Sequence, residues 1–339
     1  MRRVASSRNP DRAAFRAPGL QRRTVVLADG HRVGVVEAVS WPGATGPSGG
    51  GPAPGGWESG DRPPLVLVHG FSGESMLYGQ ALLRLAELGF RTVAVDIAGH
   101  GVTQSLPATG SDLDSYSTLL ARTLDHLGVS RAVLVGHSLG GRLVAQLAAA
   151  EPYRAAAVVL VDATVGETWD RLVGVVRTVP PVLVGVAGVV MIDAVSTLPV
   201  VRDPAQAVRL GRRVGSTAWG HARRPWRLVG PARSLLGASA SRPLLRSLGL
   251  GVPVVVIHGD RDLVVPYATA WDAARATRGW LVTVHGGTHA WMLKDPATLP
   301  AIVGELAGGP LPALRQRAAE PAAPRYRWTV SSRLGQTSW

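Results

Sequence analysis

Short runs of almost unbroken Val, Leu and Ile recur along the chain, at Leu65 to Val68, Thr92 to Val95, Ala132 to Val135, Ala157 to Val161, Val252 to Ile257 and Trp280 to Val284. A strand with one wet face alternates apolar and polar residues, so runs without a polar position predict strands buried on both faces. Between them lie longer stretches with helix-like patterning, around Tyr78 to Leu88, Leu113 to Leu127, Leu139 to Ala150 and Ala268 to Arg278. Strand and helix in alternation predict an α/β fold, a mostly parallel twisted sheet with helices on both faces. Ahead of the series, Thr24 to Ala28 and Arg32 to Ala38 are β-rich and flank Asp29-Gly30, a pair suited to the positive φ angles of a hairpin turn.

The alternation stops at Asp162 and resumes near Val252, which predicts an insertion over about residues 165–250. Such a segment would lie over the carboxyl edge of the sheet, where open α/β sheets place ligands, and is a candidate lid. Residues 1–23 are expected to be a basic flexible leader, 24–308 one domain carrying the insertion, and 309–339 a flexible basic tail. Trp41 to Asp61, rich in Gly, Pro and Ser, is expected to be a flexible connection.

Charge adds a question about partners. The formal charge is +13, and Lys294 is the only lysine, so arginine supplies nearly all of it. Clustered cations attract polyanions. Several arginines sit in Met1 to Arg23 and Leu311 to Trp339 with no nucleic-acid-binding motif beside them, so nucleic acid is the lesser reading. Gly166 to Leu250 holds twelve arginines against Glu167, Asp170, Asp193 and Asp203, together with Trp169, Trp219, Trp226 and the apolar run Val179 to Ile192. Two readings stand: solvated arginine-rich helices with tryptophans packed inward, or a surface making weak contact with an anionic membrane. The apolar run contains Pro180 and Pro181 and falls short of the roughly 20 residues that span a bilayer, so no transmembrane helix is expected. Met1 to Leu20 has arginines in place of the continuous apolar core of a secretory signal, and the cytoplasm is the expected compartment. The absence of cysteine excludes disulfides, thiolate catalysis and cysteine-bound metals.

The strongest chemical signal is Gly136-His137-Ser138-Leu139-Gly140-Gly141, directly after the run Ala132 to Val135 and directly before a helix-like segment. A nucleophilic serine at the tip of a strained strand-to-helix turn needs glycines on both sides, so that the backbone can pass closely. A hydroxyl is a weak nucleophile at neutral pH; an imidazole must take its proton and a carboxylate must orient the imidazole. His289, in the loop after the last strand run, is the candidate base, and Asp262, after Val252 to Ile257, the candidate acid. His285 competes with His289, and Asp162 and Asp260 compete with Asp262. The backbone amides of Phe71, in His69-Gly70-Phe71, and Leu139 are candidate donors to an oxyanion. His69 and His100 read as residues that hold turns by hydrogen bonding, and His137 as a support beside the candidate nucleophile. No metal-ligand spacing or phosphate-binding loop is present in the sequence, so no metal and no cofactor are implied.

With His69-Gly70-Phe71, Asp96 to Gly101 with Ser105, Gly136 to Gly140, Asp262 and His289 in that order, the chain from Thr24 to Gly308 resembles the α/β-hydrolase superfamily, in particular serine esterases and lipases with a helical cap. The resemblance implies the α/β-hydrolase fold with a helical lid insertion, and a Ser138, Asp262, His289 triad. Serine at the nucleophile position argues against epoxide hydrolase and haloalkane dehalogenase chemistry, which would need a carboxylate there. The expected activity is cleavage of a carboxylic ester of a small apolar substrate through an acyl-enzyme on Ser138. The same triad would also serve a C-C bond hydrolase, a perhydrolase or an acyltransferase, or be retained in a ligand-binding, non-catalytic member of the fold.

Overall fold

In the computed structural model the chain is described over residues 19–39, 63–107, 112–179, 204–237, 239–308 and 327–331. The buried runs become strands: β3 (Leu65–Val68), β4 (Thr92–Val95), β5 (Ala132–His137), β6 (Ala155–Val161), β7 (Val254–Gly259) and β8 (Trp280–His285). Strand β7 starts two residues later than its apolar run, because Pro253 has no N–H to give the ladder. Before them, β1 (Gly19–Val26) and β2 (Arg32–Val39) form the expected hairpin, with Gly30 at φ +81 in its turn.

Alternate residues of each central strand face opposite ways, as the period of two requires. In β5, Leu134 belongs to one apolar cluster, whereas Val133 and Val135 belong to the other. The first cluster is covered by α2 (Leu113–His126), α3 (Leu139–Ala150) and α8 (Ala268–Thr277). The second is covered by α1 (Gly79–Glu87) and α10 (Thr298–Gly308). Truncating a fully buried leucine such as Leu134 or Leu67 costs about 2–5 kcal/mol, since both the transfer energy and the cavity count against the fold.

Among the described residues one sheet of nine strands runs β1-β2-β4-β3-β5-β6-β7-β8-β9, where β9 is Arg327–Ser331. Strands β4, β3, β5, β6, β7 and β8 are parallel, and the two edges are closed by antiparallel partners. Both edges revise the expected domain limits. Gly19 to Arg23, assigned to the leader, lie in β1, and 327–331, assigned to the flexible tail, pair with β8. The unpaired edge of β8 requires hydrogen-bond partners, and a short stretch with Trp328, Thr329 and Val330 suits a pleated surface. Trp328 Nε1 adds a bond of 2.7 Å to Glu305. The connection expected over Trp41 to Asp61 and the apolar run beyond Val179 lie outside the described residues.

Between β6 and β7 the described chain is helical: α4 (Glu167–Thr178), α5 (Pro204–Arg223), α6 (Val229–Gly237) and α7 (Ser241–Gly251). The buried Arg142 of α3 ties this segment down, donating to Ser241 Oγ at 2.6 Å and to the Ser239 carbonyl at 2.7 Å. Asp170 of α4 completes the anchor by accepting from the Ser241 amide and hydroxyl. Short helix α9 (Trp291–Lys294) follows β8. No helix among the described residues is long and apolar enough to cross a membrane.

Candidate active site

Strand order sets the site's position. Strands β3 and β5 are parallel neighbours, with Val68 opposite Gly136, while β4 lies beyond β3 and β6 beyond β5. The connections after β3 and β5 therefore diverge, opening a crevice at the carboxyl ends of these two strands. The loop at Gly70 and the turn at Ser138 both start at that crevice.

Ser138 has φ 53 and ψ −119, a positive φ that a residue with a side chain adopts only when its surroundings impose it. The turn closes because its flanks are glycines. A Cβ on Gly136 would stand 2.4 Å from the Gly140 carbonyl oxygen, and one on Gly140 would stand 2.2 Å from the Val68 carbonyl oxygen. Helix α3 begins at Leu139, so the Leu139 amide belongs to the first turn, where N–H groups lack intrahelical acceptors.

The carboxyl ends of β7 and β8 and the loops that follow carry two carboxylate-imidazole pairs. Asp262 Oδ2 lies 2.8 Å from His289 Nδ1, with the carboxylate fully buried and the imidazole 12% exposed. Asp260 Oδ2 lies 3.1 Å from His285 Nδ1, with the two side chains 34% and 49% exposed. His285 Nε2 is also bonded to Thr329 of β9, so this second pair clips the sheet edge. His289 faces the elbow: its ring centroid is 4.8 Å from that of His137, the residue before Ser138. The His289 carbonyl accepts from His137 Nε2 at 2.8 Å.

His137 is held from its other side by a residue that no motif in the chain singles out. Tyr78 donates its hydroxyl to His137 Nδ1 at 2.8 Å, which fixes the neutral tautomer with the proton on Nε2. Burial drives the His137 pKa down to about 3, with the neighbouring His289 acting in the same sense. A buried tyrosine finds a partner for its hydroxyl, and the only local trace was its place at the start of the first predicted helix.

Burial tends to raise the Asp262 pKa, but the His289 imidazole beside it and amide bonds from Val264 and Val265 win, leaving the carboxyl below its usual range. Asp162, at the end of β6, goes the other way: burial, then the charge of Asp262, pushes it well above the carboxylate range. Its oxygens accept from the Gly259 amide at 2.9 Å and from Trp291 Nε1 at 2.7 Å. Two neighbouring acids are thus driven apart, and the ionised one faces the imidazole. Trp291 is fully buried against Asp162. Asp162, His258 and Asp262 bring potential metal-ligand atoms within 4.8 Å of one another. The donor set does not suit a metal, because both carboxylates are already committed and His258 Nε2 bonds the Val265 carbonyl, leaving only its Nδ1 without a partner.

The loop after β3 is fixed by histidines. His69 Nδ1 donates to the Gly70 carbonyl at 2.7 Å and its Nε2 accepts the Ile97 amide at 3.0 Å. His100 Nε2 donates to the Phe71 carbonyl. Burial keeps both rings neutral, with pKa values lowered to about 4 and about 3. Gly70 brings this loop against the elbow, since a Cβ there would lie 2.9 Å from Ser138 Cβ and 3.5 Å from Ser138 Oγ.

Residues 63–183 match the family model described as the alpha/beta hydrolase fold. A protein of Mycobacterium phage D29 named as a non-heme haloperoxidase is 35% identical over 283 residues, covering 82% of this chain and 91% of that one. The chain belongs to the α/β-hydrolase family. The monoacylglycerol lipase of Mycolicibacterium smegmatis is 30% identical over 60% of this chain and 71% of its own. Among solved structures of this α/β-hydrolase fold, an esterase from Rhodococcus sp. ECU1013 is similar with a TM-score of 0.58 at 24% identity, over 85% of this chain and 98% of that one.

Proposed function

We propose that this α/β-hydrolase is a serine hydrolase that cleaves a carboxylic ester of a small apolar substrate. The observation that carries the reading is the buried 2.8 Å bond between Asp262 and His289, whose ring lies over the residue preceding Ser138. Asp262 holds His289 with its proton on Nδ1, leaving Nε2 to take the proton of Ser138 Oγ as that oxygen attacks the ester carbonyl. The backbone amides of Phe71 and Leu139 receive the developing oxyanion, and the histidines that pin the Gly70 and Phe71 carbonyls keep that loop from reorganising. The alcohol leaves with the proton from His289, and a water deprotonated by the same ring releases the acid from the acyl-enzyme. Residence in the cytoplasm is part of the same proposal.

A second reading uses the same acyl-enzyme. The relative named as a non-heme haloperoxidase favours it. Hydrogen peroxide, entering in place of water, would attack the acyl carbonyl, give its proton to His289 and leave as a peracid, which oxidises halide in solution. Hydrolysis of p-nitrophenyl esters of increasing chain length, with Ser138→Ala as control, tests the first reading. Halide oxidation dependent on both a carboxylic acid and peroxide, and lost in the same variant, would mark the second. A chain that turns over neither and fails to react with a fluorophosphonate would overturn both.

A further inference from the structure

Helix α5 has two faces of opposite character. At 100° per residue, Gln206, Leu210, Arg213, Thr217 and His221 fall on one side. That side is packed: Gln206 donates to the Lys294 carbonyl, Arg213 to the Met76 carbonyl at 3.1 Å, and Thr217 to Glu74 at 2.9 Å. The His221 ring meets that of His100 at 5.3 Å. The inner face of α5 therefore rests on the loop after β3 and the residues that fix it.

The opposite stripe holds Val208, Arg212, Trp219 and Arg223, all exposed, and runs on into Trp226 and Val229. Trp219 and Trp226 are 65% and 66% exposed, whereas Trp169, on α4, is buried. The inward packing open to these three tryptophans thus holds for one of them. From Pro204 to Gly259 the sequence has nine arginines and no acidic residue. No ion pair joins Arg209, Arg212, Arg223 or Arg224 to an acid among the described residues.

We propose that this outer face of α5, with the turn at Trp226, docks on an anionic lipid surface. Arginines interleaved with exposed tryptophans and valines on one helical stripe match a bilayer boundary: guanidinium groups meet lipid phosphates while the indoles enter the headgroup layer. A nucleic acid would satisfy the arginines and leave Val208 and Val229 in water, so charge and apolarity together select lipid. Because the inner face holds the loop after β3, docking places that loop one helix away from the bilayer, where an apolar ester resides. Only that last step rests on the ester-hydrolase reading; the docking does not.

The test is co-sedimentation of the full chain with vesicles of phosphatidylglycerol and phosphatidylcholine, against phosphatidylcholine alone and a DNA duplex. Binding should be at least about tenfold tighter to the anionic vesicles and should weaken with added salt. Trp219→Ser with Trp226→Ser, and separately Arg212→Ser with Arg223→Ser, should each lower that affinity at least about tenfold. Both double variants should hydrolyse a soluble short-chain ester, without vesicles, within about twofold of the parent, since neither pair touches the site. Equal binding to both vesicle types, binding unchanged in both variants, or tighter binding to the duplex overturns the proposal. Anionic-selective binding lost in the variants, by a chain inert toward every ester, supports the docking and overturns the ester-hydrolase reading instead.

Discussion

Asp262–His289 and Asp260–His285 are nearly the same object in sequence: an acid after β7 and a histidine at or after the end of β8, separated by 27 and 25 residues. In the fold they part company. The first acid is fully buried and the ring of its histidine lies 4.8 Å from that of the residue before Ser138, while the second pair is half in water and bonded to the edge strand. Exposed ion pairs are screened and contribute little, whereas a buried carboxylate acts on its partner through a low-dielectric medium. Equal chemistry yields a buried pair beside the serine turn in one place and an edge clip in the other, and burial is what separates them.

The sharpest way to break this contrast is to remove each imidazole. His289→Ala or Ser138→Ala should lower kcat by on the order of a million-fold, and His285→Ala by less than about threefold, read with a chromogenic ester. Comparable losses at both histidines would end the distinction. Next come the acids: Asp262→Asn should cost about ten-thousand-fold in kcat by holding His289 in the wrong tautomer, while Asp260→Asn leaves kcat within a few-fold. Tyr78→Phe probes the support beneath the buried pair. It strips the donor from His137 Nδ1, and should lower stability by about 1–3 kcal/mol in urea melts and kcat by roughly tenfold, with KM little changed. A kcat unchanged at equal stability would show that the His137 bridge does not position His289.

The smallest effect is in acid. His69, His100 and His137 have folded pKa values of about 4, 3 and 3, below the unfolded value of about 6.5. As pH falls the unfolded chain takes up these protons first, so stability is full above about pH 6.5 and drains away toward pH 4 and below. Asp262, held below the usual carboxylate range, adds stability that is present above about pH 4 and lost only as its folded pKa is passed. Asp162, pushed well above the carboxylate range, takes up its proton in the fold first and opposes this loss, so between about pH 7 and 6 the melting temperature should drop by only roughly a few degrees. A melting temperature that rises over that step would contradict neutral burial of the three rings.

Local pattern was enough to specify the parallel sheet and the elbow. Runs such as Leu65 to Val68 can bury both faces only between helices, and the glycines around Ser138 admit a turn that any Cβ would block. It also delivered the order of serine, acid and histidine along the chain. Folding alone settled which acid faces which imidazole, that Tyr78 supports His137, that 327–331 complete the sheet, and that Trp169 turns inward while Trp219 and Trp226 turn out. The reason is physical: local pattern records what a residue prefers, but burial, and with it the strength of every charge and hydrogen bond, is set by segments that meet only when the chain folds.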